Sequence, residues 1–411
     1  MKTSGNSLKR SLSLPMVVLY GLGTIIGAGI YVLIGEVVAI AGYLTPVAFL
    51  VASIIAAFSA FAYAELSSRY PLSAGEAVYV ERAFALRAYS VSIGLLMVFV
   101  GIIASATLVK GFIGYFDYIV PVDERLSIVL LVIILGGIAA WGIIQSAWVA
   151  AITTLIEVVG LLIIIWVTRD NLVEMPMLAE QALSQFSEDG WSNIVAGAFI
   201  AFFAFLGFED IVNIAEEVKK PSRNLPLAVI ISLFISAFLY IAVSMSTIAT
   251  VPPAELANNS APLALVYERA VGEPPLFIVA ISIAAIINGT LVMMVMATRI
   301  LYGMSRQQWL PSKLSRVNST TKTPVFTTVL ITTLILVFAL WLPVATLAIT
   351  TSLFTLLVFF SVNLSLLVIK LREKKNNRCP EGAHCYPVWI PVAGMLSSSA
   401  FILTQIYYWL V

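Results

Sequence analysis

The sequence predicts an all-α protein that crosses a membrane about eleven times. Apolar runs of about 20 residues recur along the chain, and each is long enough to cross ~30 Å of hydrocarbon. Hydrophobic residues make up 60% of the 411 residues and charged residues only 11%, whereas soluble domains carry about 25% charged residues. Two of the apolar runs are interrupted by glycine, so two of the helices are expected to be discontinuous.

Each predicted span is an apolar run bounded by charged or turn-forming residues. The spans cover 14–40, 44–67, 88–115, 126–145, 147–167, 191–214, 226–250, 275–303, 324–341, 344–370 and 388–410. Spans four and five follow each other closely, so the segment IIQSAW (143–148) has to form a very short turn between them.

Lysine and arginine predict the orientation, because loops on the cytoplasmic side of a membrane are rich in both. With segment 1–13 in the cytoplasm, all but four of the 23 Lys and Arg residues fall on the cytoplasmic side. The exceptions are Lys110, Arg125, Arg169 and Arg269. The chain is therefore predicted to be a multi-pass plasma-membrane protein with an extracytoplasmic C-terminus. The first run lacks an A-x-A-like cleavage site, so its helix is expected to be retained.

The composition argues against several other classes of protein. A net charge of +1 gives no strong attraction to nucleic acid. Cys379, His384 and Cys385 share one loop, but a C-x5-C pattern with one histidine lacks a recognisable metal-ligand spacing. There is no nucleotide-binding loop and no Ser–His–Asp arrangement. We therefore expect neither an enzyme nor a bound metal or cofactor.

The first interruption lies in the stretch YGLGTIIGAGIYVLIG (20–35). Backbone leaves the helical path inside a membrane only where it is buried in protein or faces a cavity. Glycine at such a place lets the chain unwind and lets a ligand approach the main chain. The same glycines also fit a small-residue pattern for close helix packing, so this stretch alone does not decide between the two interpretations.

A second interruption favours the interpretation that both helices are broken. In the sixth span Gly207 interrupts an aromatic-rich run and is followed by Glu209 and Asp210, and carboxylates at membrane depth usually line a polar path. If spans one to five and six to ten form two halves, the two breaks occupy corresponding positions. Paired breaks of this kind indicate a transporter with a binding site near the middle of the membrane.

Four motifs in order resemble the amino acid–polyamine–organocation (APC) superfamily of transporters, and the similarity covers nearly the whole chain. They read GTIIGAGIYVLIG (23–35), AYAELSSRYPLSAGEAVYV (62–80), FAFLGFEDIVNIAEEVKKPSRNLPLAV (203–229) and RILYGMSRQQWLPSKLSRVNSTTKTP (299–324). The family usually has twelve spans, and this chain has about eleven. The resemblance implies a LeuT-like fold of two inverted five-helix repeats with discontinuous helices one and six.

This fold divides the chain into a core at 14–370, with repeats at 14–167 and 191–370, a cytoplasmic loop at 371–387 and an eleventh helix at 388–411. The resemblance further implies secondary active transport of an amino acid by alternating access. Polyamine transport and amino-acid sensing without transport remain alternatives. Partners would be the lipid bilayer, the substrate and protons, and the sequence does not indicate an oligomeric state.

The resemblance also implies how a substrate would bind. Its carboxylate would meet backbone N–H groups around Gly27, Ala28 and Gly29, and its amino group would meet carbonyls of Ile25, Phe203, Ala204 and Leu206. Phe203 stands where relatives place an aromatic gate, and Glu209 is interpreted as a structural and gating carboxylate. Further cavity candidates are Ser105, Phe208, Asn288 and Thr290.

Glu157 is the candidate for coupling. Some family members have lysine at this place in span five, so an acidic residue is a departure. One hypothesis is that the desolvated carboxyl carries a proton; the alternative is a neutral glutamate that is hydrogen-bonded to the unwound part of helix one. Sodium coupling is less favoured, because the stretch LVMMVMA (291–297) offers no hydroxyl.

Other ionisable residues allow two interpretations each. Glu36 either lines an outer vestibule or pairs with a neighbouring helix. Glu65 and Arg69, at a cytoplasmic helix end, form either part of an inner gate or part of a solvated charged rim.

Overall fold

In the computed structural model the protein is a bundle of α-helices. The structure describes residues 12–27, 29–72, 75–121, 123–141, 147–184, 188–257, 259–318, 321, 323–373 and 384–410. The short turn predicted within IIQSAW lies largely outside these residues. The α-helices are, in order, α1 Leu14–Ile26, α2 Gly29–Ala41, α3 Thr45–Arg69, α4 Gly75–Phe84, α5 Arg87–Asp117, α6 Glu124–Trp141, α7 Ala147–Val167, α8 Met175–Ser184, α9 Glu188–Phe203, α10 Pro221–Thr250, α11 Pro253–Leu256, α12 Pro262–Val271, α13 Leu276–Arg306, α14 Val325–Trp341, α15 Val344–Glu373 and α16 Trp389–Leu410.

Eight stretches of the described residues are long and apolar enough to cross a membrane, or nine if the bent pair Ala151–Val167 and Asn171–Glu180 is one span. This count is lower than eleven for two reasons. The stretch Leu14–Arg69 merges the first two predicted spans, and Val325–Trp341 has only 17 residues. The predicted all-helical membrane fold is confirmed.

Both predicted interruptions are present. The first transmembrane segment is divided into α1, which ends at Ile26, and α2, which begins at Gly29. The sixth is divided into α9, which ends at Phe203, and a 3₁₀ helix at Phe208–Glu217. The residues between them form turns with i→i+3 hydrogen bonds, such as Leu206 N–H to Phe203 O at 3.1 Å. Helices one and six are therefore discontinuous, as predicted.

The two broken segments touch each other through glycine. Gly207 has φ of +118°, and a Cβ built on it would lie 2.4 Å from the carbonyl oxygen of Thr24. A Cβ on Gly29 would lie 2.4 Å from the Cα of Ala204. The Thr24 hydroxyl also reaches the carbonyl oxygen of Gly207 at 2.9 Å. Only residues without a side chain allow backbones to approach this closely.

The broken helices are also tied together at one end of the bundle. We call this the basic end, because Arg69, Arg306 and Lys370 lie at the helix ends there. Leu12, just before α1, forms a parallel bridge with Val218, which follows the 3₁₀ helix. The Leu12 N–H donates to Glu217 O at 3.1 Å, and Leu12 O accepts from Lys219 N–H at 2.9 Å. The remaining helices surround this pair: α5 packs along α13, and α3 packs along α10.

Substituting Gly207→Ala is expected to destabilise the protein by at least about 2 kcal/mol, because alanine is strained at positive φ and its Cβ would collide with the backbone of Thr24. Thermal unfolding in detergent measures the effect. Gly303→Ala is the matched control, since a Cβ there has no neighbour within 4 Å and alanine favours a helix. A Gly207→Ala protein that unfolds at the wild-type temperature would contradict the contact between the breaks.

Candidate functional site

A buried cavity lies where the two breaks meet. The broken segments contribute Thr24, Ile25, Gly29, Phe203 and Leu206 to its wall, and α5 and α13 contribute Ala104, Leu108, Gly289 and Met293. The cavity measures about 20 Å³, which is room for a water molecule and far too little for an amino acid. The site is therefore closed in this conformation.

The structure brings together several residues that the sequence assigned to a substrate site. Ile25, Gly29, Phe203 and Leu206 all line the cavity. Ala204 lies directly against Gly29. Gly27, whose N–H donates to Gly23 O at 3.0 Å, is the last described residue before the break. Ala28 lies outside the described residues.

The four further cavity candidates are not among the residues that line the cavity. The Ser105 hydroxyl donates to Gly101 O at 2.7 Å, and the Thr290 hydroxyl donates to Ile286 O at 2.7 Å, so both are satisfied by their own helices. Asn288 donates to Glu157. Phe208 lies in an aromatic layer described below.

Tyr240 of α10 connects the two breaks, and sequence reasoning did not find it. Its buried hydroxyl lies 2.8 Å from the carbonyl oxygen of Ile25 and 2.9 Å from that of Ala204. A hydroxyl carries one proton and donates fully to one acceptor at a time. The two carbonyls, one from each broken helix, therefore retain capacity for a further donor. The signal in the sequence was only a tyrosine within an apolar span.

An aromatic layer separates the cavity from the basic end. Phe208 contacts Tyr63 and Phe359, with ring centroids 5.7 Å and 5.1 Å apart, and Tyr63 contacts Phe359 at 5.4 Å. All three side chains are fully buried. Tyr63 lies six residues before Arg69 on α3, which places the layer about 9 Å inside the basic end.

A buried ion cluster closes the basic end beyond this layer. Glu65 pairs with Arg69 at 2.6 Å and with Lys370 of α15 at 2.7 Å, and Arg69 pairs with Glu373 at 2.6 Å. Glu65 also accepts the N–H of Tyr386 at 2.9 Å. The cluster thus joins α3, α15 and the segment before α16. Of the two interpretations of Glu65 and Arg69, the structure favours an ion-paired closure over a solvated rim.

Three buried carboxyl groups lie beside the sixth-helix break. Glu209 accepts the N–H of Gly207 at 2.9 Å, which helps to hold the turn. Neither carboxyl oxygen of Asp210 has a hydrogen-bond partner within the described part of the chain. Glu76, on α4 outside the membrane spans, is close enough to interact electrostatically with both. Burial raises the pKa of Glu76 from 4.5 to about 7.

Glu157 lies on α7 beside the first break. Its side chain is fully buried, and Oε1 accepts from Asn288 of α13 at 3.2 Å. Oε2 has no hydrogen-bond partner among the residues that the structure describes. The hydroxyl of Tyr31 on α2 donates to the backbone carbonyl of Glu157 at 2.7 Å. The carboxyl group thus lies between α2, α7 and α13, and it forms no salt bridge within the described part of the chain.

Replacing Tyr240 by phenylalanine is expected to destabilise the protein by about 1–3 kcal/mol, because two buried carbonyls lose their donor. Thermal unfolding checks this. Tyr118→Phe removes an exposed hydrogen bond to Glu268 instead and is expected to have little effect. Equal stability of the two variants would show that the Tyr240 hydroxyl does not hold the breaks together.

The buried carboxyl of Glu76 predicts that stability falls as pH rises from 4.5 to about 7. In this range the folded protein retains a proton that the unfolded chain has lost, so unfolding becomes more favourable with increasing pH. Glu76→Gln is expected to remove up to about 3 kcal/mol of this pH dependence. Unfolding midpoints measured across the range test it, with Glu81→Gln, exposed on the same helix, as the control. A slope unchanged by Glu76→Gln would contradict the assignment.

Comparison with known proteins identifies the family to which the chain belongs. A family model described as amino acid permease matches residues 12–409. A vacuolar cationic amino acid transporter 4 of Arabidopsis thaliana is 30% identical over 89% of this chain and 64% of its own length. The mitochondrial cationic amino acid transporter 3 of the same plant is 28% identical over 88% of this chain. The chain spans about three fifths of the length of these plant relatives.

Two bacterial relatives match over more of their own length. A branched-chain amino acid permease of Bacillus subtilis is 29% identical over 93% of this chain and 85% of the relative. A methylthioribose transporter of the same bacterium is 27% identical over 97% of this chain and 88% of the relative. Together with the match at 12–409 and the two broken helices, these similarities show that the chain is a multi-span membrane protein that belongs to the amino acid permease family of transporters.

Proposed function

We propose that the protein is a secondary active transporter of amino acids that works by alternating access. One observation carries the proposal: two discontinuous helices meet at a buried cavity, and residues beside both breaks line it. The helix α2 begins at the cavity with Gly29, and helix N-termini favour anions. The carbonyl oxygens of Ile25 and Ala204, one from each broken helix, converge on the Tyr240 hydroxyl, and carbonyl oxygens favour a cationic group. An amino acid zwitterion carries both charges on one carbon atom and matches this arrangement.

In this proposal the substrate carboxylate binds the N–H groups around Gly27, Ala28 and Gly29, and the Gly27 N–H exchanges its bond to Gly23 O for one to the substrate. The ammonium group binds the carbonyl oxygens of Ile25 and Ala204, which Tyr240 holds in place, with Phe203 and Leu206 beside it. An ammonium group has three N–H donors and can use the acceptor capacity that a single hydroxyl leaves. Binding through the main chain does not depend on which side chains the chain carries at these positions.

Alternating access requires that the closed basic end open in another conformation. Phe203 lines the cavity and would cover the substrate. Glu209 would act as a gating residue through the turn at Gly207. Opening would separate the aromatic layer of Tyr63, Phe208 and Phe359. We place this end in the cytoplasm, because Lys and Arg residues concentrate at it, and we propose the plasma membrane as the location of the protein.

Proton coupling through Glu157 is the mode that the contacts favour. An ionised carboxylate in this buried position would have one oxygen without a partner among the described residues, which is costly. A protonated carboxyl avoids this cost, and its proton could be released when helix one moves. Sodium is less favoured, because the stretch LVMMVMA (291–297) on α13 offers no hydroxyl oxygen to a cation. Exchange without net proton movement is the second mode.

Two alternative functions predict different properties. A polyamine carrier would need acidic residues around the ligand, and the described residues that line the cavity include no carboxylate. A sensor with the same fold would bind an amino acid without moving it across a membrane.

Uptake of radiolabelled amino acid into proteoliposomes tests the proposal. An inwardly directed proton gradient is expected to stimulate uptake by the wild-type protein. Glu157→Gln, which is always neutral, is expected to retain exchange of internal for external substrate but to lose the stimulation by the gradient. Glu174→Gln, an exposed site, is the control. An unchanged pH profile in Glu157→Gln would exclude the coupling role, and binding without flux in the wild type would indicate a sensor.

A further inference from the structure

We propose that the transported amino acid carries a neutral, apolar side chain. This inference rests on the proposed function, because it assumes that the broken helices hold the zwitterion. It concerns the remainder of the cavity, where the substrate side chain has to lie. That part is formed by α5 and α13 rather than by the broken helices, and its residues are Ala104, Leu108, Gly289 and Met293.

The four residues form two matched surfaces. Ala104 and Leu108 are four residues apart on α5, and Gly289 and Met293 are four residues apart on α13. Residues at this spacing lie one above the other on the same helix face. Each helix therefore presents one small and one large apolar residue to the cavity. We refer to these four residues as the side-chain chamber.

The polar side chains nearest in sequence do not line the chamber, and their protons are donated within their own helices. The hydroxyls of Ser105 and Thr107 donate to Gly101 O and Ile103 O on α5, and the hydroxyl of Thr290 donates to Ile286 O on α13. Each of these bonds is between 2.7 and 2.9 Å long. The chamber therefore presents carbon, hydrogen and the sulfur of Met293 to the substrate. Such a surface gives no hydrogen bond to a polar side chain.

The carboxylates near the breaks are directed elsewhere. Glu209 is bonded to Gly207 N–H, and Glu157 is bonded to Asn288; neither lines the cavity. Glu36 follows Gly29 by seven residues on α2, which is roughly 10 Å along the helix axis. A lysine or arginine side chain in the chamber would thus leave water without gaining a counter-charge, and such burial is strongly unfavourable.

Met293 makes the chamber adaptable within the apolar class. Methionine is unbranched and has several rotatable bonds, so it can adjust to side chains of different shape. Gly289 and Ala104 are small and add little bulk of their own to the chamber. The chamber is expected to accept several aliphatic side chains, with the preferred size set by Met293 and Leu108. The relatives' names include both cationic and branched-chain amino acids, and the chamber chemistry favours the second kind for this chain.

Thermal unfolding of the purified full chain with single amino acids tests the inference. Leucine, isoleucine, valine, methionine and alanine are expected to raise the unfolding temperature, because a ligand that binds only the folded state stabilises it. Arginine, lysine and glutamate are expected to leave it unchanged. Competition with radiolabelled leucine during exchange in proteoliposomes gives the same ranking by a second measurement.

Met293→Ala is expected to change the ranking among apolar amino acids in favour of larger ones, by about tenfold in relative affinity, since a methylene group in an apolar pocket is worth roughly this much. Met294→Ala is the matched control: it is buried on the same helix but does not line the cavity. It is expected to lower stability without changing the ranking.

The outcomes separate this inference from the proposed function. If arginine or lysine stabilises the protein and leucine does not, the apolar chamber is overturned while amino acid transport stands. If Met293→Ala and Met294→Ala leave the same ranking, the assignment of the chamber is overturned. If no amino acid of any class stabilises the protein or is exchanged, the proposed function itself fails.

Discussion

The close approach of two backbones is the constraint on which the rest of this structure depends. Gly207 and Gly29 let the interrupted sixth and first helices touch where any side chain would collide with main chain. A helix that stops inside a membrane leaves N–H and C=O groups without partners, and such groups are tolerated only within protein or at a cavity. The contact buries these groups and at the same time directs them at one small space. In the proposed function, stability and substrate binding would therefore depend on the same backbone atoms.

Hydroxyl groups form hydrogen bonds across this contact. Thr24 bonds across to Gly207, and Tyr240 spans Ile25 and Ala204. Each of these hydrogen bonds is weak enough to be replaced by another one when the conformation changes. The ion cluster around Glu65 and the aromatic layer around Tyr63 close the basic end in addition. A transporter needs closures of this kind on both sides of its site, and they must be reversible. Several modest interactions in series provide this more readily than one strong interaction.

The positions of the breaks could be predicted from the sequence, because glycine acts locally and carboxylates mark polar positions in an apolar run. The cavity wall could not be predicted in the same way. Ser105 and Thr290 are predicted cavity residues, yet the cavity is lined by Ala104 and Gly289, one residue earlier on each helix. One residue rotates the face of a helix by about 100°, and apolar spans carry no pattern that fixes this rotation. Tyr240 was missed because its role depends on how α10 crosses the breaks.

The proposed function requires the main chain at the two breaks to recognise both charges of an amino acid. Thermal unfolding with leucine, leucine methyl ester, N-acetyl-leucine and the amine that lacks the carboxyl group is a direct test of this requirement. These compounds share an apolar side chain and differ only in the charged groups. Leucine is expected to stabilise the protein, and the other three compounds are not. Equal stabilisation by the amine or by the N-acetyl compound would contradict it, because one of the two charges would then be unnecessary.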